Sequence, residues 1–138
     1  MGYLMDTCVL SEFKKKQPEQ KVIDWLDAQI EETLFLSVVT IGEIQKGISR
    51  LPASNRKTEL EIWLEELIYR YDERVLPLDT EVMQRWGQLT GLLETQGHTL
   101  PLLDSLIAAT SLTHNLILVT RNEPDFVATN VALLNPWK

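Results

Sequence analysis

Five short apolar runs punctuate the chain: Tyr3-Leu4-Met5, Leu34 to Val39, Arg74-Val75-Leu76-Pro77, Leu116 to Val119 and, more weakly, Val131 to Leu134. None alternates polar with apolar residues, so each predicts a strand covered on both faces, as in a parallel sheet. Between them, apolar residues recur at three- and four-residue spacing. Val9, Leu10 and Phe13 predict a short helix; Val22, Ile23, Leu26 and Ile30 predict another; Ile41, Ile44, Ile48 and Leu51 a third. The longest stripe is Leu60, Trp63, Leu64, Leu67, Ile68 and Tyr71, with Glu59, Glu61, Glu65 and Glu66 off it. Val82, Trp86, Leu89 and Leu93 predict a further helix stopped at Gly97, and Pro101 opens one holding Leu103, Leu106, Ile107 and Ala108. Strands alternating with helices through short connections read as an α/β sandwich around a parallel sheet. Pro52 to Asn55 marks only a turn between helices, and no repeat or flexible linker divides the chain. Residues 1–138 are therefore expected to form one domain.

Composition narrows the function. Hydrophobic residues make up 44% and charged residues 24%, a globular rather than disordered balance. One Cys and two His exclude a disulfide framework and the usual Cys/His zinc site. No apolar run approaches the roughly 20 residues of a membrane-spanning helix, and MGYLMDTC has no leader pattern, so the expected location is the cytoplasm, away from membranes. Thirteen Lys and Arg against 20 Asp and Glu give a net charge of −7, which excludes a protein that coats DNA through a basic face. Contact with a nucleic acid would require local basic residues or bound cations.

In open parallel sheets, ligands gather beyond the carboxyl ends of the strands. Asp6 directly follows the first run, and Asn122 and Asp125 lie in the segment after the fourth. Glu43 comes four residues after the second run, and Asp104 sits in the first turn of the helix opened by Pro101. Each alone reads as a cap or turn residue; together they place several acids on one sheet edge. Glu43 lies off its apolar stripe, with Lys46 and Gly47 one turn along. Gly47 costs about 1 kcal/mol relative to Ala, which a closely approaching substrate or a packing contact would explain. Asp104 shares its face with the small Ala108, so both acids are expected to look into open space. Clustered carboxylates without His or Cys suit hard cations, Mg²⁺ or Mn²⁺, and through them phosphoryl or phosphodiester chemistry. Neither nucleotide-binding glycine loop is present. His98 and His114 are expected in surface loops or at helix ends, Cys8 as a small buried hydrophobe, Lys14-Lys15-Lys16 as a solvated helix end, and Trp63 to Tyr71 as core or an exposed partner interface.

The blocks MDTCVLSEF, LSVVTIGEIQKGI and PLLDSLIAATSLTHNLILVTRNEPDF, with the terminal Asn135-Pro136-Trp137, resemble the PIN-domain ribonuclease toxins of bacterial toxin–antitoxin modules, in particular the VapC/FitB group. The resemblance spans essentially the whole chain. It implies a three-layer sandwich with five parallel strands in the order 3-2-1-4-5, helices on both faces, and a homodimer or assembly of dimers. It further implies an antitoxin partner whose C-terminal segment occupies a groove beside the acids, and RNA as substrate. Matched residue by residue, Asp6, Glu43 and Asp104 become the Mg²⁺- or Mn²⁺-binding, catalytic carboxylates of an endoribonuclease. The fourth acidic position falls near Asn122, where some members have Asp, with Asp125 as a neighbouring substitute. Cys8 stands where the family usually has Asn. On this reading Asp6 and Asp104 hold the ion, Glu43 is a ligand or a base, and Lys46 and Arg121 contact RNA phosphates. Two alternatives remain open from the residues. One is a metal-dependent phosphatase or phosphotransfer domain, although Cys8 occupies the place where its second acid would stand. The other is a PIN-fold binding module weakened by Cys8 and Asn122.

Overall fold

The first apolar run forms β1 (Tyr3–Met5), and α1 (Thr7–Glu12) follows after the single residue Asp6 in the computed structural model, which describes residues 1–138. Then come α2 (Gln20–Asp27), β2 (Leu34–Ser37), α3 (Val38–Ser49), α4 (Asn55–Tyr71), β3 (Val75–Leu76) and α5 (Thr80–Thr95). The chain closes with α6 (Leu102–Thr113), β4 (Ile117–Val119), α7 (Glu123–Phe126) and β5 (Leu133–Leu134). Single 3₁₀ turns precede β2 and β3 and follow α7. The five strands lie in the order β3-β2-β1-β4-β5, all pairs parallel, with Tyr3 beside Leu34 and Ile117 in the centre. The 3-2-1-4-5 sheet with helices on both faces matches the expected architecture.

Alternation along the central strands divides the core in two. Met5 and Val119 face a cluster built with Val9, Leu26, Ile44, Leu64 and Leu67, from α1, α2, α3 and α4. Leu4 and Leu118 face the other side, where Leu106, Ile107, Ala108, Phe126 and the partly buried Trp86 pack from α5, α6 and α7. Gly2 lets β1 start against β4 and β2: a Cβ there would lie 2.6 Å from Leu116 Cδ2 and 3.1 Å from Phe35.

Several boundaries differ from the sequence expectation. The second run does not stay extended to Val39, because Ser37 caps a helix: its hydroxyl accepts the Val39 N–H at 3.0 Å, and α3 begins at Val38. Pro101 occupies the N-cap position of α6 rather than its first turn. Ile30 falls beyond α2 and is 69% exposed, and Phe13 is the exposed C-cap of α1, so neither joins its stripe. Asp125, which alone reads as a turn residue, lies in the one-turn helix α7. Gly97 does stop α5: at φ 79° it lets the His98 N–H reach back to the Leu93 carbonyl at 2.9 Å. Tyr71 is only 8% exposed and Trp63 partly buried, so the long stripe of α4 turns mainly inward instead of forming an exposed interface.

At the other end of α4, Arg74 ties the sheet edge together. Its guanidinium donates to the carbonyls of Glu31 at 2.6 Å and Leu34 at 2.7 Å, and stacks 4.5 Å from the Tyr71 ring centroid. The Glu31 carboxylate is held by Arg70 and lies 3.7 Å from Arg74, and the Arg70 hydrogen bond leads in holding it below the usual glutamate range.

Candidate active site

Parallel pairing brings the carboxyl ends of β1, β2 and β4 together, and each strand delivers a polar residue there. Asp6, at the end of β1, is 5% exposed, and its backbone N–H still belongs to the sheet, bonding the Val119 carbonyl at 2.9 Å. Its Oδ1 accepts the Thr7 N–H at 2.8 Å and so caps α1, as the simplest reading of the residue expects. Its Oδ2 accepts the hydroxyl of Thr120 at 2.8 Å, from the end of β4. The capping role and a second role are thus served by different oxygens of one carboxylate. Burial pushes the Asp6 carboxyl above the ordinary aspartate range, against the opposing pull of the Thr120 and Thr7 hydrogen bonds, and the Glu43 charge adds to the rise.

Glu43 projects from the second turn of α3, the helix started by Ser37 at the end of β2. The Thr7 hydroxyl donates to Glu43 Oε1 at 2.6 Å and lies 3.3 Å from the hydroxyl of the buried Thr40. A Cβ added at Gly42 or Gly47 would meet nothing within 4 Å, so no packing contact explains the glycine at 47, and the space beside Glu43 is open.

Asp104 stands half-buried in the first turn of α6. Its carboxyl is pushed up to about 6, first by burial and then by the charges of Asp6, Asp125 and Glu43. These four acids, drawn from β1, α3, α6 and α7, therefore share one electrostatic field. Ala108, expected to keep that face open, is instead fully buried in the second core cluster, and only the start of α6 reaches the site. No salt bridge involves Asp6, Glu43, Asp104 or Asp125.

The remaining expected residues fall around this group. Asp125 is exposed on α7, with its N–H on the Asn122 carbonyl at 3.0 Å. Asn122 is exposed at the N-cap of α7 and uses its backbone N–H, not its amide, to bond the Thr120 hydroxyl at 3.0 Å. Cys8 is only half-buried: its thiol packs at the edge of the core, 3.8 Å from Asp6 Oδ2 and 3.9 Å from Thr120 Oγ1, and burial pushes it above the usual thiol range. Lys46 and Arg121 are exposed and form no salt bridge, whereas Lys15 pairs with the buried Glu12 at 3.0 Å and Lys14 lies over Trp63. His98 and His114 are both exposed, after α5 and at the C-cap of α6.

Sequence reasoning missed the threonines. Thr7, Thr40 and Thr120 supply the hydroxyls that fix the acids, and Thr40 and Thr120 are fully buried. Their signal is a hydroxyl residue within a few positions of the end of an apolar run, where a core would otherwise take Val.

No three His, Cys, Asp or Glu side chains close on one point as a ready-made metal cage. The donor set is nonetheless all oxygen and carries mutually repelling acids with no protein cation among them. That suits Mg²⁺ or Mn²⁺, which bind through one or two carboxylates and otherwise keep water.

Comparison with known proteins agrees with this fold. The model of the PIN domain family matches residues 3–130. VapC ribonuclease Y4jK of Sinorhizobium fredii is 35% identical over 136 residues, covering 98% of this chain and 97% of that protein. Toxin FitB of Neisseria gonorrhoeae is 36% identical over 135 residues, covering 97% of each. The crystal structure of FitAcB from Neisseria gonorrhoeae superposes with a TM-score of 0.92 at 35% identity, over 98% of both chains. The structure of FitAB bound to the IR36 DNA fragment gives the same TM-score at 34% identity, over 99% of this chain and 96% of that one. Fold and whole-length similarity agree, and the chain belongs to the PIN-domain family, beside the VapC and FitB toxins.

Proposed function

We propose that residues 1–138 work as one PIN unit, the cytoplasmic toxin of a toxin–antitoxin pair, and that it is a Mg²⁺- or Mn²⁺-dependent endoribonuclease. The observation that carries this reading is the gathering of Asp6, Glu43, Asp104 and Asp125 with no salt bridge to any of them; burial first, and then the charges of the other three, lift Asp104 to about 6. Relatives named as a VapC ribonuclease and a FitB toxin support it.

Asp6 and Asp104 would hold the ion, with Glu43 beside them and Asp125 at the margin. When bound, the ion supplies positive charge against the phosphodiester and makes water a stronger nucleophile near neutral pH. The protein's part is positional. Thr120 orients Asp6 through Oδ2, which the Cys8 thiol also approaches at 3.8 Å. Thr7 orients Glu43 through Oε1, and Oε2 remains to accept a proton from the attacking water. Lys46 and Arg121, exposed and without acidic partners, meet RNA phosphates and offset the net charge of −7 locally.

The partner proposed is a cognate antitoxin, with the toxin itself assembled as a homodimer. A cavity of about 550 Å³ between α1, α2 and α4, lined by Leu10, Phe13, Leu26, Trp63, Leu67 and Tyr71 with Lys14, Asp27, Glu31 and Arg70, suits an apolar segment with charged flanks. This is where Trp63 and Tyr71 would meet a partner: as walls of a groove.

Cleavage of total RNA by the purified, partner-free chain tests the function. Discrete fragments with Mg²⁺ or Mn²⁺, absent with chelator and absent in Asp104→Asn, are expected. No fragments with either metal from a folded wild type, or full activity retained in both Asp6→Asn and Asp104→Asn, would overturn the proposal.

A further inference from the structure

Arg121 follows Thr120 at the site edge, and its guanidinium lies 5.4 Å from the ring centroid of Trp137. It has no carboxylate partner, although Glu123 is only two residues away. Glu123 is already taken: its Oε1 accepts Asn135 Nδ2 at 2.9 Å and lies 2.8 Å from Lys138 Nζ. Asn135 also turns the segment, since its Oδ1 accepts the Trp137 N–H at 2.9 Å. Trp137 is itself held in place, partly buried against the first core cluster. Three residues of this four-residue segment therefore perform complementary tasks: Asn135 and Lys138 occupy Glu123, and Trp137 offers Arg121 a ring face. A guanidinium stacked on an indole keeps its in-plane N–H groups free, the arrangement that binds phosphate in a bidentate manner.

We propose that the Asn135–Lys138 segment is a positioning clip that holds Arg121 free of acidic partners and aimed at an RNA phosphate beside the acidic cluster. This rests on the reading of the site as a ribonuclease and adds to it the device that lets an acidic protein keep one cation available there. Trp137 is a positioning residue, acting only through Arg121.

The test combines two readouts on the full chain. In NMR spectra, the Arg121 Nε–H signal of the wild type is expected to carry a ring-current displacement, lost in Trp137→Ala and retained in Trp137→Phe. In cleavage of a fluorescein-labelled single-stranded RNA of mixed sequence, Trp137→Ala is expected to raise KM about two- to fivefold with kcat unchanged, the scale of one exposed cation–π contact. Arg121→Ala should raise KM at least as much and lower the salt dependence of binding by about 0.7 in log–log slope, one phosphate contact to a single strand. The double variant should match Arg121→Ala alone. An Arg121 signal that Trp137→Ala leaves in place, or KM effects that multiply in the double variant, would overturn the clip. A wild type with the displaced signal that neither binds nor cleaves the RNA would instead overturn the nuclease reading, and the phosphate role of Arg121 with it.

Discussion

Two sets of acids in this molecule are treated in opposite ways. Glu12, Glu31 and Glu123 each meet a cation, Lys15, Arg70 with Arg74, and Lys138, and all three are held below the usual glutamate range. Glu12 is held down first by the Glu19 N–H hydrogen bond, with Lys15 adding to it. Asp6 and Asp104, at the carboxyl ends of the strands, are instead pushed upward, first by burial; neither has a salt bridge, and Asp6 is bonded by the Thr7 N–H, the Thr120 hydroxyl and, at 3.8 Å, the Cys8 thiol. Acids that hold the fold together are neutralised within the fold; acids at the sheet edge are left as an open negative site. A site of that kind suits the divalent cation proposed above.

The largest expected effect breaks the second set. Asp6→Asn or Asp104→Asn should reduce RNA cleavage at least about a hundredfold, measured as initial rate in Mn²⁺. The same Asp104→Asn should stabilise the metal-free protein at pH 7, by about 1–2 kcal/mol after allowance for partial exposure, read from denaturant unfolding with chelator. The sign follows from linkage. With Asp104 at about 6 when folded against 3.8 ordinarily, the native chain holds a proton that the unfolded chain has released, so stability falls as pH rises from about 4 to about 6. That fall should shrink in Asp104→Asn and be offset in wild type by Mg²⁺. A metal-free wild type whose stability does not fall with pH over that range relative to Asp104→Asn would remove the contrast between the two sets.

The structural set should behave in reverse. Arg74→Ala removes three carbonyl contacts and a partner of Glu31, and should cost about 1–3 kcal/mol of stability by chemical denaturation, with kcat unaffected. Thr7→Val is a smaller change. It leaves Glu43 without its 2.6 Å hydrogen bond and should lower kcat about tenfold with the melting temperature nearly unchanged. A Thr7→Val protein of full activity would show that Glu43 needs no orientation.

The layers of the fold were legible because they rest on periodicity: unbroken apolar runs became central strands, and stripes such as Leu60 to Leu67 became buried helix faces. The strand order was legible only through resemblance, since no spacing in one sequence says which strands are neighbours, and the roles proposed for Asp6, Glu43 and Asp104 rest on that same resemblance. What stayed hidden depends on contacts between residues far apart in the chain. Thr7 and Glu43 are 36 positions apart, and Thr120 and Asp6 are 114 apart, so their hydroxyl clamps appear only after folding. The end of β2 at Ser37 was hidden differently, because one capping hydroxyl outweighed the strand preference of Val38-Val39.

The most direct measurement is Mn²⁺ titration into the purified, RNA-free protein, followed by the loss of the free-ion electron paramagnetic resonance signal at pH 7. Saturable binding by the wild type, strongly weakened in Asp104→Asn and untouched in Arg74→Ala, is the expected result. No binding by a folded wild type, or equal binding by wild type and Asp104→Asn, would contradict the claim that the acids at the sheet edge await a divalent ion.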